Sequence, residues 1–161
     1  MKNGDRQAEL APDMSELSWQ IREMTESDLS QVCCIENVIF SQPWSRKGFL
    51  DSMNSMDTLY LSVYFDGKVV GYCGFLQSFE EADITNVAVD EAYRGRGIAR
   101  SMLTELMHRG EQRGITAFTL EVRESNRAAL HLYESLGFEN CGIRKNFYEK
   151  PQENAVIMWR R

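Results

Sequence analysis

The sequence predicts a mixed α/β domain of the α+β kind, in which helices cover both faces of a mostly antiparallel central sheet. Strand-like apolar runs and helically periodic segments follow one another in the order β-α-α-β-β-β-α-β-α-β-β. Adjacent strand-like runs joined by short turns predict antiparallel hairpins. One strand–helix–strand segment, residues 84–122, predicts a single parallel pair.

The composition indicates an ordinary globular chain. Of 161 residues, 43% are hydrophobic and 26% are charged, and a chain of this length can bury a substantial core. We expect residues 19–161 to form a single domain. Residues 1–18 carry charges without an apolar centre, so we interpret them as a flexible leader and not as a secretory signal.

The net charge and the cysteine spacing argue against several classes of protein. The net charge of −6 argues against a general nucleic-acid binder and suits a basic protein partner. No run reaches the length of a membrane span. The four cysteines lack the spacing of a zinc site or a disulfide framework. We therefore expect a cytoplasmic protein with reduced cysteines, no metal, and neither nucleic acid nor membrane as a partner.

The first half of the chain begins with a strand and two helices. Residues 19–24 alternate between apolar and polar side chains, as a first strand does. Thr25 and Asp28 form a capping-box pattern at the start of a helix that ends near residue 39. After a break around Pro43, Ser45 can cap a second helix.

From residue 58 onward we expect three strands, followed by a helix, a strand, a second helix and a hairpin. Asp66-Gly67 is a strong hairpin signal between strands at 58–65 and 68–78, and a fourth strand covers 82–89. We expect Gly110 and Gly114 to mark the end of the next helix. The remaining elements are helices over 98–113 and 126–136, a strand over 116–122, and a terminal hairpin formed by 138–146 and 154–159.

The chain is organised around the turn Arg94-Gly95-Arg96-Gly97-Ile98-Ala99, which joins the fourth strand to a helix. The first turn of a helix has unpaired N–H groups at the positive end of its dipole. Glycine lets a backbone adopt left-handed angles and approach a ligand closely. The turn therefore predicts an anion site that suits a pyrophosphate, with arginine charge beside it.

The turn allows other interpretations. It could be only a tight connection. The Gly-Lys-Ser/Thr of the nucleotide-triphosphatase loop is absent from the sequence. Arg100 stands where the dinucleotide-binding fingerprint requires its third glycine or alanine, so that fingerprint also fits badly.

Three blocks of sequence carry a resemblance to a known family. Arg94, Gly97 and Ala99 match the pattern Arg/Gln-x-x-Gly-x-Gly/Ala, and residues 120–126 and 129–138 supply two further blocks. Over residues 19–160 the chain resembles the GCN5-related N-acetyltransferase (GNAT) superfamily, and within it the RimI-type ribosomal-protein-alanine N-acetyltransferases. The resemblance implies transfer of acetyl from acetyl-CoA to the N-terminal α-amine, with alanine first, of a basic ribosomal protein.

The resemblance also assigns two catalytic residues. Glu121 matches the family's general base, and Tyr133 matches the tyrosine that protonates the leaving thiolate. The alternatives are a glutamate on the surface of a strand and a tyrosine that fills the core. The two histidines stand on predicted helices without a second ligand at metal spacing, and we expect them to be structural.

Further residues match the cofactor-binding positions of the family. Besides residues 94–99 and Tyr133, these are Asn126 and the strand segment Val87, Ala88 and Val89, whose backbone binds the acetyl-pantetheine arm in the family. Asn126 could equally be a helix N-cap, and the three strand residues could be core. These alternatives are compatible with cofactor binding, because the strand contact uses backbone groups.

Two stretches of the sequence concern the binding of the acceptor. We expect residues 146–154, with Tyr148, to form a wall over the first acceptor residues, and the acidic residues Glu80, Glu81 and Asp83 to attract a basic acceptor. Two other functions stay open: acetylation of lysine side chains or small-molecule amines, and a non-catalytic acyl-CoA-binding module. A pure binding module needs neither Glu121 nor Tyr133.

Overall fold

Seven strands and four α-helices make up residues 18–161, the part of the chain that the computed structural model describes. The predicted leader, residues 1–18, lies outside this range apart from its last residue. The elements are β1 (Gln20–Glu23), α1 (Leu29–Ile39), α2 (Arg46–Met53), β2 (Thr58–Phe65), β3 (Lys68–Ser78), β4 (Glu81–Val89), α3 (Ile98–Gln112), β5 (Ala117–Arg123), α4 (Arg127–Ser135), β6 (Glu139–Tyr148) and β7 (Glu153–Arg160). This is the predicted order of elements. None of these helices is long and apolar enough to cross a membrane.

The strands form one sheet in the order β1-β2-β3-β4-β5-β7-β6. All neighbours pair antiparallel except β4 and β5, which are parallel, so the predicted mixed sheet with one parallel pair is confirmed. The predicted terminal hairpin of β6 and β7 also forms. Its second strand, β7, lies next to β5, and its first strand, β6, is at the edge of the sheet. β7 takes the inner position because it buries Ala155, Val156 and Met158, whereas β6 is mostly exposed.

Helices cover both faces of the sheet, as predicted. On one face α1 and α2 pack their apolar residues against the β2 and β3 tyrosines, Tyr60 and Tyr72. On the other face α3 packs against Cys73 of β3 and Leu120 of β5, and Tyr133 of α4 joins the same core. The first face is called the α1 face below and the second the α3 face.

The sheet splits between its two parallel strands. β4 and β5 pair only over Glu81–Asp83 and Ala117–Thr119, and beyond these residues they diverge. β4 also has a bulge at Thr85. Phe75 of β3 pairs with Ile84 and the preceding Gly74 pairs with Asn86, which leaves Thr85 as the extra residue between the two pairs. Bulges bend a strand and increase its twist, which agrees with the divergence of β4 from β5.

Gly110 differs from its predicted role. It does not mark the end of α3 but lies buried in the last turn, and a Cβ there would come 2.8 Å from the ring of Phe118. Glycine at this position lets the helix pack closely on β5. Gly114 follows the helix with φ +85°, and it therefore has the terminating role that was assigned to both glycines.

Candidate active site

A cleft of about 560 Å³ occupies the split between β4 and β5. Its sides come from five parts of the chain. The lining residues are 84–87 of β4, 120–123 of β5, Glu36, residues 39–42 and Trp44, then Asn126, Ala129 and Tyr133 at α4, and Tyr148, Lys150 and Pro151 at the end of β6 and in the connection to β7. The structure thus brings both predicted catalytic residues into one cleft.

The two predicted catalytic residues reach this cleft from opposite faces of the sheet. Leu120 and Val122 pack in the core on the α3 face. Because side chains alternate along a strand, Glu121 between them points to the α1 face. Tyr133 packs in the same core as Leu120 and therefore lies on the α3 face. The cleft consequently connects the two faces, and a reaction centre between them can be reached from either side.

Glu121 is a partly shielded carboxylate with charged neighbours. Its side chain is 24% exposed, and its Oε1 lies 3.4 Å from Nη1 of Arg144 on β6. Burial raises the pKa of Glu121, the charge of Asp83 raises it further, and Arg144 opposes both effects. A carboxylate with a raised pKa accepts protons more readily at neutral pH, as a general base requires.

Tyr133 is buried except where it borders the cleft. Its ring packs edge to face on Phe138, with centroids 5.9 Å apart. Burial raises the pKa of Tyr133 above its usual value, and the charges of Tyr148 and Cys73, when ionised, would raise it further. The hydroxyl therefore stays protonated at neutral pH and can donate a proton or a hydrogen bond into the cleft.

Asn126 stands at the start of α4 beside the cleft. Its Oδ1 accepts a hydrogen bond of 3.2 Å from the N–H of Ala129, which is the expected N-cap geometry. The cap role alone accounts for an asparagine here. The cofactor contact stays a prediction, and the position of Asn126 in the lining of the cleft agrees with it.

The glycine turn has the geometry of an anion site. Gly95 and Gly97 have φ values of +79° and +85°, and a Cβ on either would meet no heavy atom within 4 Å. Glycine is therefore required by the backbone angles. Gly97 is the N-cap of α3, and among the described residues no side chain caps this helix. The N–H groups of Ile98 and Ala99 are left for a ligand, which fits a pyrophosphate.

The two arginines of the turn have separate contacts. Nε of Arg94 donates a hydrogen bond of 3.1 Å to the carbonyl oxygen of Val89, which ties the turn to the end of β4. The guanidinium of Arg96 lies 5.2 Å from the ring centroid of Tyr93 and 5.6 Å from that of Phe65. Arg94 thus orients the turn in addition to contributing charge.

Val87, Ala88 and Val89 have the core role considered for them, and their contact with the cofactor stays a prediction. Val87 and Val89 pack toward the α3 face, and Ala88 packs in the core on the α1 face. These residues lie beyond the last β4–β5 pair that forms, at Asp83 and Thr119. The backbone edge of β4 that faces away from β3 therefore has no strand partner here among the described residues and can pair with an extended ligand, such as a pantetheine arm with its amide groups, although the Val89 carbonyl oxygen already accepts a hydrogen bond from Arg94.

Sequence reasoning missed Glu36, which lies in the lining of the cleft on α1. Its carboxylate is buried, and its two oxygens accept hydrogen bonds from the backbone N–H of Trp44, at 3.3 Å, and from the hydroxyl of Tyr72. Burial raises the pKa of Glu36. The available signal was a charged residue within the apolar stripe of a helix, next to Ile35.

The predicted wall over the acceptor does lie beside the cleft. Tyr148, Lys150 and Pro151 contribute to its lining, and burial raises the pKa of Tyr148 to about 12. β6 extends through Tyr148, so the connection to β7 spans residues 149–152 and is shorter than predicted. Of the three predicted acidic residues, Glu80 and Glu81 are exposed and lie outside the lining, whereas Asp83 is partly buried and influences Glu121.

Known sequences match this chain over most of its length. The profile of the acetyltransferase (GNAT) family matches residues 20–138. The [ribosomal protein bS18]-alanine N-acetyltransferase of Haemophilus ducreyi is 37% identical over 143 residues, which cover 86% of this chain and 97% of the relative. The protein of the same name from Escherichia coli K12 is 36% identical over 140 residues, which cover 86% and 94%.

Solved structures agree with the sequence matches. The crystal structure of the ribosomal-protein-S18-alanine N-acetyltransferase from Escherichia coli superposes with a TM-score of 0.82 at 34% identity, over 89% of this chain and 93% of that one. Ard1 from Thermoplasma volcanium also gives a TM-score of 0.82, at 26% identity over 88% and 96%. The resemblance inferred from the sequence motifs is confirmed: the chain is an N-acetyltransferase and belongs to the acetyltransferase (GNAT) family.

Proposed function

We propose that this enzyme transfers the acetyl group of acetyl-CoA to the N-terminal α-amine of a basic ribosomal protein that begins with alanine. One observation carries the proposal: the cleft passes through the split sheet, with Glu121 on one face and Tyr133 on the other. A proton acceptor and a proton donor thus flank the place where two substrates can meet. The relatives named for acetylation of the alanine of ribosomal protein bS18 support this choice of acceptor.

Acetyl-CoA would supply the acetyl group as an activated thioester. The free N–H groups at the start of α3, within residues 94–99, would hold its pyrophosphate. The backbone of residues 87–89 would pair with the pantetheine amides, and Asn126 would contact the arm where it enters the cleft. The thioester would then lie on the α3 face, next to Tyr133.

Two proton transfers complete the reaction. Glu121, directly or through one water, takes a proton from the acceptor nitrogen as the new nitrogen–carbon bond forms. Tyr133 gives its proton to the sulfur as the carbon–sulfur bond breaks. Afterwards Glu121 releases its proton to solvent and Tyr133 takes one up, which restores both groups. Its burial keeps the hydroxyl protonated until the thiolate develops.

The choice of an α-amine follows from the cost of deprotonation. An α-amino group has a pKa of about 7.7–8.0, and a lysine side chain has a pKa of about 10.4. The difference of about 2.5 units corresponds to about 3.4 kcal/mol more to produce the neutral lysine amine. One carboxylate with a raised pKa, such as Glu121, is matched to the easier task.

The test is a competition between two peptides, followed by mass spectrometry. One begins with alanine and has blocked lysines, and the other has a blocked N-terminus and one free lysine. We expect the alanine peptide to be acetylated faster by at least about tenfold. Faster acetylation of the lysine peptide would contradict the assignment of the acceptor. Thermal stabilisation by CoA without turnover of either peptide would favour the non-catalytic alternative.

A further inference from the structure

We propose that Arg123 is a positioning residue that holds the acceptor wall in place and links it to the start of α4. The acceptor wall is defined here as residues 148–151, between β6 and β7. The inference deepens the proposed function, and its link to acceptor binding rests on that function. Arg123 is the last residue of β5, two positions after Glu121 and on the same face of the strand.

The guanidinium of Arg123 contacts the wall at several points. Nη1 donates to the carbonyl oxygen of Pro151 at 3.0 Å, and Nη2 donates to the carbonyl oxygen of Glu149 at 3.1 Å. The plane of the group lies over the ring of Tyr148, with 4.4 Å from Cζ to the ring centroid. One side chain from β5 thus binds three of the four wall residues.

The β6–β7 ladder does not fix the wall by itself. Arg144 pairs with Ala155, but the next pair along the two strands joins Tyr148 to Glu153, so the register shifts between them. Residues 149–152 then form the connection between the strands, without ladder pairs of their own. Because loop backbone without such bonds samples many conformations, Arg123 supplies the constraint that the strands lack.

The same arginine reaches the cofactor side through Glu153. Nη1 of Arg123 lies 3.2 Å from Oε2 of Glu153, and Oε1 of Glu153 accepts a hydrogen bond of 2.7 Å from the N–H of Ser125. Ser125 precedes Asn126, the N-cap of α4, and α4 carries Tyr133. The Arg123–Glu153 pair therefore connects the acceptor wall to the helix that carries the predicted proton donor.

The chemistry of arginine suits this position better than that of lysine. Its planar guanidinium presents five donors in a fixed fork and can stack on an aromatic ring at the same time. A lysine would keep the charge and could make one of these contacts, but it could not bind two carbonyl groups, a carboxylate and a ring together. The exchange of Arg123 for lysine therefore separates geometry from charge.

The experiment compares Arg123→Lys with Arg109→Lys. Arg109 is a matched control: its Nε lies 2.8 Å from Oε1 of Glu105, its side chain is 32% exposed against 27% for Arg123, and it lies on α3 outside the cleft lining. We expect Arg123→Lys to raise KM for the alanine peptide about tenfold, an effect of 1.4 kcal/mol. KM for acetyl-CoA should change less than about twofold, and Arg109→Lys should change neither constant.

A second measurement tests the positioning without any acceptor. Amide hydrogen exchange, followed by mass spectrometry, should become faster in residues 148–153 of Arg123→Lys and stay unchanged there in Arg109→Lys. Glu153→Gln, which removes one charge of the pair, should also make exchange faster in these residues, but to a smaller extent. Unchanged exchange in both Arg123→Lys and Glu153→Gln would overturn the inference, whatever peptide the enzyme accepts.

The results also separate this inference from the proposed function. If the wild-type enzyme fails to acetylate the alanine peptide, the acceptor assignment is wrong, and hydrogen exchange still decides whether Arg123 holds the wall. If the wild-type enzyme acetylates the peptide and Arg123→Lys keeps its KM, Arg123 has no part in acceptor binding. Equal losses of affinity for peptide and acetyl-CoA would also contradict the inference, which assigns the main effect of Arg123 to the acceptor wall.

Discussion

The two sides of the cleft are held together by different kinds of contact. On the α3 face, β4, the turn at 94–99 and α3 follow one another in sequence, and the proposed cofactor groups are backbone N–H and carbonyl groups. On the α1 face, the lining comes from α1, β5 and the β6–β7 connection, which are far apart in sequence. Side-chain hydrogen bonds and ion pairs hold these segments together.

This difference predicts different responses to mutation. A backbone site depends on dihedral angles and on helix ends, so most conservative side-chain changes leave it intact. A site assembled by side chains depends on individual charges and hydrogen bonds, such as the pair between Glu121 and Arg144 and the contacts of Glu36. The α1 face, which is the acceptor side of the cleft, should therefore lose activity on isosteric substitution of its charged side chains. The α3 face, which is the cofactor side, should tolerate substitutions of that kind.

The largest effect is expected at Glu121, where the two sides meet. Glu121→Gln keeps the shape of the side chain and removes the proton acceptor, so kcat should fall by roughly 100- to 10,000-fold. Calorimetry should find nearly unchanged affinity for acetyl-CoA. The same exchange at Glu139, an exposed residue at the start of β6, serves as the control. A variant with a near-normal rate at pH 7 would make Glu121 a structural residue.

The next effect concerns the backbone site on the α3 face. Gly97→Glu puts a side chain at a left-handed position and a negative charge at the start of α3, so the Kd for CoA should rise on the order of 100-fold. Gly114 is a matched control, because it also has φ +85° and open space, at the other end of α3. Gly114→Glu should cost similar stability and leave CoA binding unchanged. Equal affinities in the two folded variants would place the pyrophosphate elsewhere.

A smaller effect is expected at Tyr133, which belongs to the α3 face and contributes a side chain. Tyr133→Phe keeps the packing of the ring on Phe138 and removes the hydroxyl, so kcat should fall roughly 10- to 100-fold. Melting curves should show little change in Tm. If instead Tm falls and turnover is preserved, Tyr133 serves the core and not the chemistry.

Sequence reasoning succeeded where a structural feature depends on residues that are close along the chain. The strand, glycine turn and helix around Gly97 were predicted as a unit, because the turn chemistry and the helix start are local. The N-cap at Asn126 was predicted for the same reason. The parallel pair followed from the strand–helix–strand order, although the sequence did not indicate that it ends after three residue pairs.

The parts that were missed depend on contacts between distant segments. No local pattern relates Glu36 to Trp44 and Tyr72, or Arg123 to Glu149 and Pro151. These contacts exist only once the sheet has formed. The bulge in β4 was also missed, because a single extra residue leaves the apolar pattern of a short buried strand almost unchanged.

The smallest expected effect tests the charges around Glu121 on the acceptor side. Asp83 raises the pKa of Glu121 and Arg144 lowers it. The base must be ionised to accept a proton, so kcat/KM falls as the pH drops through its pKa, and this acid limb reports the pKa in the free enzyme. Asp83→Asn should therefore move the limb to lower pH, and Arg144→Gln should move it to higher pH.

The shift caused by Arg144→Gln should be small, because Arg144 is more than half exposed and solvent screens its charge. The affinity for acetyl-CoA should stay the same in both variants, since neither residue lies near the start of α3. Lysine-free peptides that begin with alanine keep side-chain amines out of the profile. The peptide's own α-amine titrates identically with every variant, so the difference between the variants reports Glu121. If both variants move the acid limb in the same direction, Asp83 and Arg144 act on Glu121 through packing. The pKa of Glu121 would then not be set by individual charges, and the contrast drawn between the two faces would fail on the acceptor side.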